Sequence, residues 1–385
     1  MAQGTASGSK HPRPGFLGDT RAEPVAKMGS RSCHECHEPS VGHAEPEVES
    51  AAAYQGLDRG VELRTLGLKG WGAVATRGIE AGECILREQA LVTVTAAERL
   101  QLPGDDEEAE AELWDLKAQA LDAASAAQFW RMHDFGGEGE KSAYGIALTN
   151  AMHLTERKLG YAAPGGTSGK MPSVGVLACL CRFNHGCTPN VYASWRDFEG
   201  HMVVHALRDI AAGEELVQAY SSDVAFLPWS VRQQYLTKWR MQCQCTACSQ
   251  SWSERAASDK CRMLMLVKSC VLGLRSLPTN QEVQHLADEV QRGKELIDQD
   301  NLRGVQLVLE LVLLVDMELR GNPHLKEGIY FRGYELALQG GRPDFAVDML
   351  CSAYQQCCLA EGSDSPRAGG YRDMFTAHDS MPPAF

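Results

Sequence analysis

Short apolar runs separated by glycine-containing turns are the main pattern between residues 61 and 103. The runs lie at residues 73–75, 84–86 and 91–94, and the turns between them lie at residues 77–78 and 81–83. Runs of this length, bounded by turn residues, are typical of β-strands. This part of the chain is therefore predicted to form a set of small strands.

The pattern changes to helical spacing over residues 105–133, where large apolar residues recur among alanine and glutamate after an acidic run. This spacing predicts a helical insert between strands. Strand-like runs resume after the insert, at residues 174–178, 190–195, 202–207 and 216–220. The chain up to about residue 222 is therefore predicted to be rich in β-structure with one helical insert.

Helical periodicity dominates from about residue 251 to residue 362. The clearest helix covers residues 342–358, with Pro343 near its start and an apolar stripe along one face. Proline suits the first turn of a helix because its missing N–H would have no partner there. We predict an α-helical C-terminal region over residues 251–362 and a flexible tail over residues 363–385.

The N-terminal residues 1–55 are rich in Gly, Ser, Pro, Ala and charge, and they contain few large apolar side chains. Such a segment cannot bury enough surface to offset the cost of ordering, so we predict a disordered tail. It contains a C-H-x-C-H cluster formed by Cys33, His34, Cys36 and His37. The cluster lacks a second ligand pair at finger spacing, so chance grouping is favoured over metal binding.

Composition places the chain among intracellular globular proteins. It has 385 residues, of which 44% are hydrophobic and 23% are charged, enough for about two to three domains. No apolar stretch is long enough for a membrane span, and the N-terminus lacks the apolar core of a secretory signal. We therefore expect no membrane association and a location in the nucleus, the cytoplasm or both. The 14 cysteines are then expected to be reduced thiols and metal ligands.

The net charge of -13 disfavours direct binding to nucleic acid, because the phosphate backbone would repel the protein as a whole. A basic peptide or tail is the better electrostatic match. We expect a monomer.

Three short motifs concentrate polar and thiol chemistry. They are NHGCTPN at residues 184–190, GEELVQAY at residues 213–220 and CQCTAC at residues 243–248. The last motif offers the thiols of Cys243, Cys245 and Cys248, and tetrahedral closure requires a fourth ligand. Cys187 is the other cysteine in a comparably rigid motif, so we predict a structural zinc site with four cysteine ligands. The alternative is a group of free thiols.

The order N-H-x-C-x-P-N, G-E-E-L-x-x-x-Y and C-x-C-x-x-C resembles the SET domain of protein lysine methyltransferases, followed by its post-SET segment. The upstream strings KGWGAV at residues 69–74 and IEAGE at residues 79–83 are similar to the opening motif of that domain. The layout is nearest to the SET and MYND methyltransferases and their fungal-type relatives. A Cys/His-rich MYND module is missing between residues 91 and 142. The likeness covers roughly residues 60–250.

The resemblance implies an α+β protein: a β-rich SET fold with a pseudoknot and a post-SET zinc site, followed by an α-helical C-terminal region. The expected boundaries are residues 56–222 for the SET domain and residues 223–250 for the zinc-binding segment. Residues 328–361 resemble a tetratricopeptide-like helix pair. One pair alone is a weak sign of a repeat.

The resemblance also implies roles for individual residues. Gly70, Trp71 and Gly72 would line a pocket for S-adenosylmethionine, the methyl donor. Asn184 and His185 would bind the same cofactor, and Asn150 resembles a further asparagine that contacts it. Tyr220 would be the catalytic tyrosine, and the partner would be a lysine-containing protein or peptide substrate. Each has a plainer alternative: a core tyrosine, a turn cap at Asn184, a core histidine, or an apolar lid at Trp71.

Two positions depart from the pattern of the family. Gly186 stands where serine is usual, and Met241 stands two residues before Cys243, where an aromatic residue is common. Loss of an aromatic wall would loosen the lysine channel or weaken stacking on the cofactor. Two functions are therefore carried forward: an active lysine methyltransferase and a catalytically weak SET scaffold that binds protein partners.

Overall fold

The computed structural model describes residues 48–50, 57–58, 60–103, 106–134, 141–157, 159 and 172–377. The cysteine and histidine cluster at residues 33–37 lies outside the described residues, so the prediction for it stays open. Residues 48–50 form a strand, which corrects the predicted disordered tail at these positions. They pair with residues 62–64 through antiparallel backbone contacts.

The first half of the described chain is built from short strands. In chain order they are β1 (Val48–Ser50), β2 (Val61–Thr65), β3 (Trp71–Ala75), β4 (Cys84–Glu88), β5 (Val92–Val94), β6 (Met152–His153), β7 (Val174–Val176), β8 (Asn184–His185), β9 (Val191–Arg196), β10 (His201–Ala206) and β11 (Glu215–Gln218). They form three sheets, with strand orders β1-β2-β3-β11-β8, β4-β10-β9 and β5-β7-β6.

Helices fill the insert and the second half of the chain. In chain order they are α1 (Ala96–Leu100), α2 (Glu107–Gln119), α3 (Ala123–Trp130), α4 (Ala143–Asn150), α5 (Trp229–Leu236), α6 (Trp252–Val271), α7 (Gln281–Gln284), α8 (Ala287–Gln299), α9 (Asn301–Glu318), α10 (Pro323–Gln339), α11 (Pro343–Glu361) and α12 (Pro366–Ala377). Within the described residues, no helix is long and apolar enough to cross a membrane.

Local sequence explains where the insert helices begin. The side chains of Asp106 and Asp122 accept hydrogen bonds from free N–H groups in the first turns of α2 and α3. Thr95 and Glu98 form a reciprocal capping box at the start of α1. These caps satisfy donors that a helix leaves unpaired at its N-terminus. The helical part extends beyond the predicted 105–133, because α1 precedes it and α4 follows it.

Separate apolar cores hold the parts together. Leu63, Leu86, Phe183 and Leu216 are fully buried between the first two sheets. Trp114, Phe129 and Ile146 fill a second core under the insert helices. The C-terminal helices enclose a third and larger core, which includes Leu311, Leu336 and Leu350. The mixed α+β class is confirmed. The likeness of α10 and α11 to a tetratricopeptide pair stays a prediction.

The predicted flexible tail at residues 363–385 is wrong for α12. Tyr371 and Phe375 are fully buried in the C-terminal core. Arg367 donates to both carboxylate oxygens of Glu327 on α10, with a shortest distance of 2.6 Å. Gly369 and Gly370 lower the helix propensity of this segment, and tertiary packing overrides that cost. Residues 378–385 lie outside the described part of the chain.

Buried polar contacts join the helical region to the β-rich half. The guanidinium of Arg196 on β9 donates to the main-chain carbonyl of Glu361 on α11. The Tyr192 ring of the same strand stacks on His324 of α10, with ring centres 3.8 Å apart. A buried hydrogen bond to a charged group contributes about 1.5–3 kcal/mol. The C-terminal helices are therefore packed directly on the sheet that contains β9.

Candidate functional site

Three strands bring the sequence motifs together. Antiparallel β3 and β11 pair Ala73 with Leu216. On its other edge β11 runs parallel to β8 and pairs Val217 with Asn184. The Gly70-Trp71-Gly72 turn, the NHGCTPN segment and the strand leading to Tyr220 thus share one sheet, although they are distant in sequence.

The turn at the start of β3 needs glycine for two different reasons. Gly70 has φ of 70° and ψ of -141°, a region that favours glycine. At Gly72 a Cβ atom would lie 2.3 Å from Leu66 Cδ1 and 2.9 Å from Asn184 Nδ2. The absence of a side chain at Gly72 therefore lets Asn184 approach the turn.

Asn184 ties the three motifs together by hydrogen bonds. Its Nδ2 atom donates to the carbonyl of Trp71 at 3.1 Å and to Glu215 Oε1 at 2.9 Å. Lys69 donates to the other carboxylate oxygen of Glu215 at 2.6 Å. The half-buried Trp71 ring also has the guanidinium of Arg182 5.7 Å from its centre. The predicted group of Gly70, Trp71, Gly72 and Asn184 is therefore contiguous in space.

Asn190 is a position that the sequence motif contained but for which we predicted no role. Its side chain is fully buried. Oδ1 accepts from the Val217 N–H at 2.7 Å, and Nδ2 donates to the Glu215 carbonyl at 2.9 Å. The side chain therefore binds the backbone of β11 as another strand would. It fixes the segment that carries Asn184 and His185 against β11.

Tyr220 lies just beyond β11 and faces His185. The Tyr220 N–H donates to His185 Nδ1 at 3.1 Å, and the two rings have centres 5.3 Å apart. The Tyr220 hydroxyl donates to the Phe183 carbonyl at 3.4 Å. Burial raises the pKa of Tyr220 above its usual value of 10.0. The hydroxyl therefore stays protonated at neutral pH and serves as a hydrogen-bond donor.

His185 links Tyr220 to the cysteines. Its imidazole is 5% exposed, and Nε2 lies 3.4 Å from the Cys187 sulfur. Burial lowers the pKa of His185 to about 4, so the ring is neutral at pH 7. Since Nδ1 accepts from Tyr220, we assign the proton to Nε2, which points at the sulfur. Both ring nitrogens thus have protein partners, and the predicted contact of His185 with a cofactor stays a prediction.

The four predicted cysteines form one cluster. The Cys187 sulfur lies 3.9 Å from that of Cys243 and 3.6 Å from that of Cys248. All of the sulfurs, including that of Cys245, lie within 4.8 Å of one another. Zn–S bonds of about 2.3 Å in a tetrahedron place sulfurs roughly 3.8 Å apart. The donor set and its spacing therefore fit a zinc ion.

Helix α5 supports the cysteine cluster from behind. Gln233 accepts from the Cys243 N–H and donates to the Cys243 carbonyl, each at 3.0 Å. The fully buried Arg232 places Nη2 4.0 Å from the Cys248 sulfur. A divalent ion with four thiolates carries a formal charge of about -2. A buried guanidinium beside it offsets part of that charge, as outer partners of metal sites do.

Asn150 stands apart from the other predicted residues. It ends α4, and its Nδ2 atom donates to the carbonyls of His133 at 2.8 Å and Ile146 at 2.7 Å. Its own carbonyl accepts from the Cys181 thiol at 3.3 Å. Cys181 is close enough to contribute to the raised pKa of Tyr220, after burial. Asn150 thus borders the site through Cys181. Its side-chain nitrogen, Nδ2, already donates to two backbone carbonyls.

Trp239 supplies an aromatic wall that we did not predict. Its ring centre lies 5.6 Å from that of Tyr220 and 6.2 Å from that of Tyr235. Met241 packs into the apolar cluster around the cysteines. The aromatic residue expected at position 241 thus has a counterpart two residues upstream. The sequence did contain a signal for this wall, since Trp239 is an aromatic residue close to the cysteine motif.

The second departure, Gly186, also has a structural reason. A Cβ atom at Gly186 would lie 2.7 Å from Val217 Cγ2 on β11. A serine would therefore require Val217 to move. Glycine at 186 and valine at 217 are matched to each other, and the backbone of the NHGCTPN segment is kept close to β11.

Glu88 is a buried carboxylate that holds the backbone just before the NHGCTPN segment. It accepts from the N–H groups of Cys179 at 2.7 Å and Leu180 at 3.0 Å. Burial raises the pKa of Glu88 to about 7 from a usual value of 4.5. The fold therefore favours the protonated acid. This contribution to stability is fully present below pH 4.5 and falls as the pH rises towards 7.

A comparison of the wild-type chain with Glu88→Gln tests whether Glu88 makes the fold less stable as the pH rises. The wild-type free energy of unfolding, relative to that of the glutamine variant, should fall by about 3 kcal/mol between pH 4.5 and pH 7. Urea denaturation at several pH values measures the difference. Parallel curves for the two proteins across this window would contradict the assignment.

Comparison with known proteins identifies the domain. Residues 70–221 match the family model of the SET domain. A stretch of 76 residues is 36% identical to the histone-lysine N-methyltransferase set5 of Schizosaccharomyces pombe (strain 972 / ATCC 24843). This stretch is 20% of the chain and spans 23% of the length of that relative. Residues 70–221, which match the family model, contain the turn at Gly70, the Asn184 segment and Tyr220. The chain therefore contains a SET domain at residues 70–221.

Proposed function

We propose that this protein transfers a methyl group from S-adenosylmethionine to a lysine side chain of another protein. The observation that carries the proposal is that β3, β11 and β8 pair side by side in one sheet. Asn184 thereby contacts the Gly70-Trp71-Gly72 turn, while Tyr220 is held by His185 on the same strand as Asn184. When bound, the cofactor supplies an electrophilic methyl group on a sulfonium.

Tyr220 would orient the lysine amine rather than remove its proton. A lysine ammonium has no lone pair, so it must lose its proton to water before it attacks. The hydroxyl of Tyr220 stays protonated because burial raises its pKa. It therefore cannot act as a base at neutral pH. Its proton is donated to the Phe183 carbonyl, and its oxygen would accept a hydrogen bond from an N–H of the neutral amine, which leaves the amine lone pair free to attack. Ordering the reactants in this way can lower a barrier by up to about 7–11 kcal/mol.

The zinc ion would have a structural role. Cys187, Cys243, Cys245 and Cys248 would hold it, and it would fasten the loop after α5 to the segment that carries His185. His185 donates towards the Cys187 sulfur and accepts from the Tyr220 backbone. A fixed metal site would therefore also fix the backbone of Tyr220. No open ligand position is needed for this role.

Charge and the relative both support a basic protein segment as the substrate class. The net charge of -13 suits a basic protein segment. The matched relative is named a histone-lysine N-methyltransferase. Histone tails are therefore the first substrates to test, together with non-histone proteins. The competing function, a catalytically weak scaffold, is the outcome of the same test if no lysine is labelled.

Binding of the methyl donor tests the pocket itself. Gly72→Ala would push a methyl group against Leu66 and Asn184. We expect this change to weaken the affinity for S-adenosylmethionine at least about tenfold, a loss of about 1.4 kcal/mol. Calorimetric titration of the full chain gives the dissociation constant. Gly78→Ala is the matched control, because nothing lies within 4 Å of a Cβ atom there. Equal weakening by both variants, or no binding by the wild type, would contradict the assigned pocket.

A further inference from the structure

A lysine of the chain itself lies beside the Tyr220 site. The ammonium nitrogen of Lys238 is 3.6 Å from the centre of the Tyr235 ring and 4.7 Å from the centre of the Trp239 ring. The Trp239 ring contacts Tyr220 at a centre distance of 5.6 Å. Aromatic faces attract cations through their quadrupole. Lys238 is thus held one aromatic ring away from the tyrosine assigned to methyl transfer.

The aromatic rings are the contacts that hold the Lys238 ammonium. In the part of the chain that the structure describes, no carboxylate pairs with this exposed side chain. Other lysines there do form ion pairs, at 2.5–2.8 Å: Lys69, Lys117, Lys268 and Lys326. A cation held by ring faces alone is free to leave them without breaking a salt bridge. Lys238 is therefore both pre-positioned and movable.

The backbone fixes the position of this lysine. Lys238 is the middle residue of a 3-10 turn, Thr237–Trp239, which follows α5 and precedes the zinc loop. The turn ends at Arg240, whose φ of 49° is in the left-handed region. A residue with a side chain pays about 1–2 kcal/mol there, so the surroundings must enforce the turn. Trp239 before Arg240 and Met241 after it both pack against the apolar cluster around the cysteines, which restrains the turn.

We propose that Lys238 is a self-methylation site, modified within its own chain; this rests on the methyl transfer proposed above. Lys238 would lose one ammonium proton to water and rotate about its side-chain torsions towards Tyr220. Its nitrogen would form a bond to the methyl carbon of a bound sulfonium donor as the S–C bond breaks. The bonding pair stays with sulfur, which leaves as a neutral thioether. The methylated amine keeps a positive charge at neutral pH and can return to the rings.

Peptide mapping after incubation with a deuterium-labelled methyl donor tests the proposal. The full chain should gain labelled methyl on Lys238, at a rate that does not depend on protein concentration. Lys238→Arg should lose this label and retain transfer to other lysine-containing proteins. Tyr220→Phe should lose both. In a mixture of the Tyr220→Phe chain with the Lys238→Arg chain, Lys238 of the former should stay unlabelled. Labelling in that mixture would overturn modification within one chain.

The position of Lys238 can be tested without any turnover. Reductive methylation with ¹³C-formaldehyde labels lysines chemically, and the Lys238 signal is the one missing from Lys238→Arg. Ring currents from Tyr235 and Trp239 should shift that signal upfield, and Trp239→Leu should reduce the shift. An unshifted signal would overturn the proposal.

The outcomes also separate this inference from the proposed function. Label on other proteins with none on Lys238 would overturn the inference and leave the methyltransferase in place. A chain that labels no lysine anywhere would overturn the proposed function, and the self-methylation with it.

Discussion

Replacing Cys245 with serine is expected to remove the metal and to destabilise the fold more than any other single change considered for this protein. The sulfur of Cys245 is 3.4 Å from the Cys187 N–H, and its cluster joins two segments that are distant in sequence. Structural zinc binds with an apparent free energy of about 10–16 kcal/mol in small domains. Losing one of the ligands should lower the free energy of unfolding by at least about 3 kcal/mol.

Metal analysis and thermal unfolding measure this effect together. The wild-type chain should contain about one zinc per chain, and Cys245→Ser should contain clearly less. For a unit of the size of the SET domain, about 3 kcal/mol corresponds to a fall in Tm of roughly 6–12 °C. Cys351→Ser is the control, since Cys351 is a free cysteine on α11 outside the cluster. A wild-type chain without zinc would contradict the site.

The second large effect is expected at the hydroxyl of Tyr220. Tyr220→Phe should keep the ring contacts to His185 and Trp239, so the fold should be unchanged. It removes the hydroxyl oxygen that would orient the lysine amine by accepting a hydrogen bond from its N–H. Removing one pre-organised hydrogen-bonding group from an active site costs about 10²–10³ in kcat. We expect a loss of lysine methylation of that size.

The change should appear in turnover and not in cofactor affinity. Steady-state rates with labelled donor give kcat, and titration gives the donor dissociation constant. Tyr330→Phe is the control, since Tyr330 lies half-buried on α10, in the C-terminal core. If Tyr220→Phe retains the wild-type kcat, Tyr220 has no part in the transfer step.

The sequence predicted the cysteine cluster, because residue identity alone limits which side chains can hold a metal ion. Three thiols at C-x-C-x-x-C spacing need a fourth ligand, and Cys187 is the cysteine that the structure places there. The order of the motifs also identified the SET domain that the comparison found at residues 70–221. Such features are local in sequence or limited by simple coordination rules, so they need no knowledge of strand register.

Features that depend on long-range packing were not predictable. The role of Asn190 exists only because β11 lies beside it, which no local pattern encodes. The contact of Trp239 with Tyr220 joins the turn after α5 to the residue that follows β11, which no local pattern encodes. Helix α12 forms despite two adjacent glycines because Tyr371 and Phe375 are buried against other helices. In each case a tertiary contact outweighs local propensity.

The most direct test of the proposed function is transfer of labelled methyl from S-adenosylmethionine to protein lysine. The purified chain would be incubated with labelled donor and with core histones or a cell lysate, and the products would be hydrolysed to amino acids. We predict label in N-methyl-lysine with the wild-type chain and at most about 1% of it with Tyr220→Phe. Absence of labelled methyl-lysine from a chain that binds zinc and donor would contradict the account and favour the scaffold.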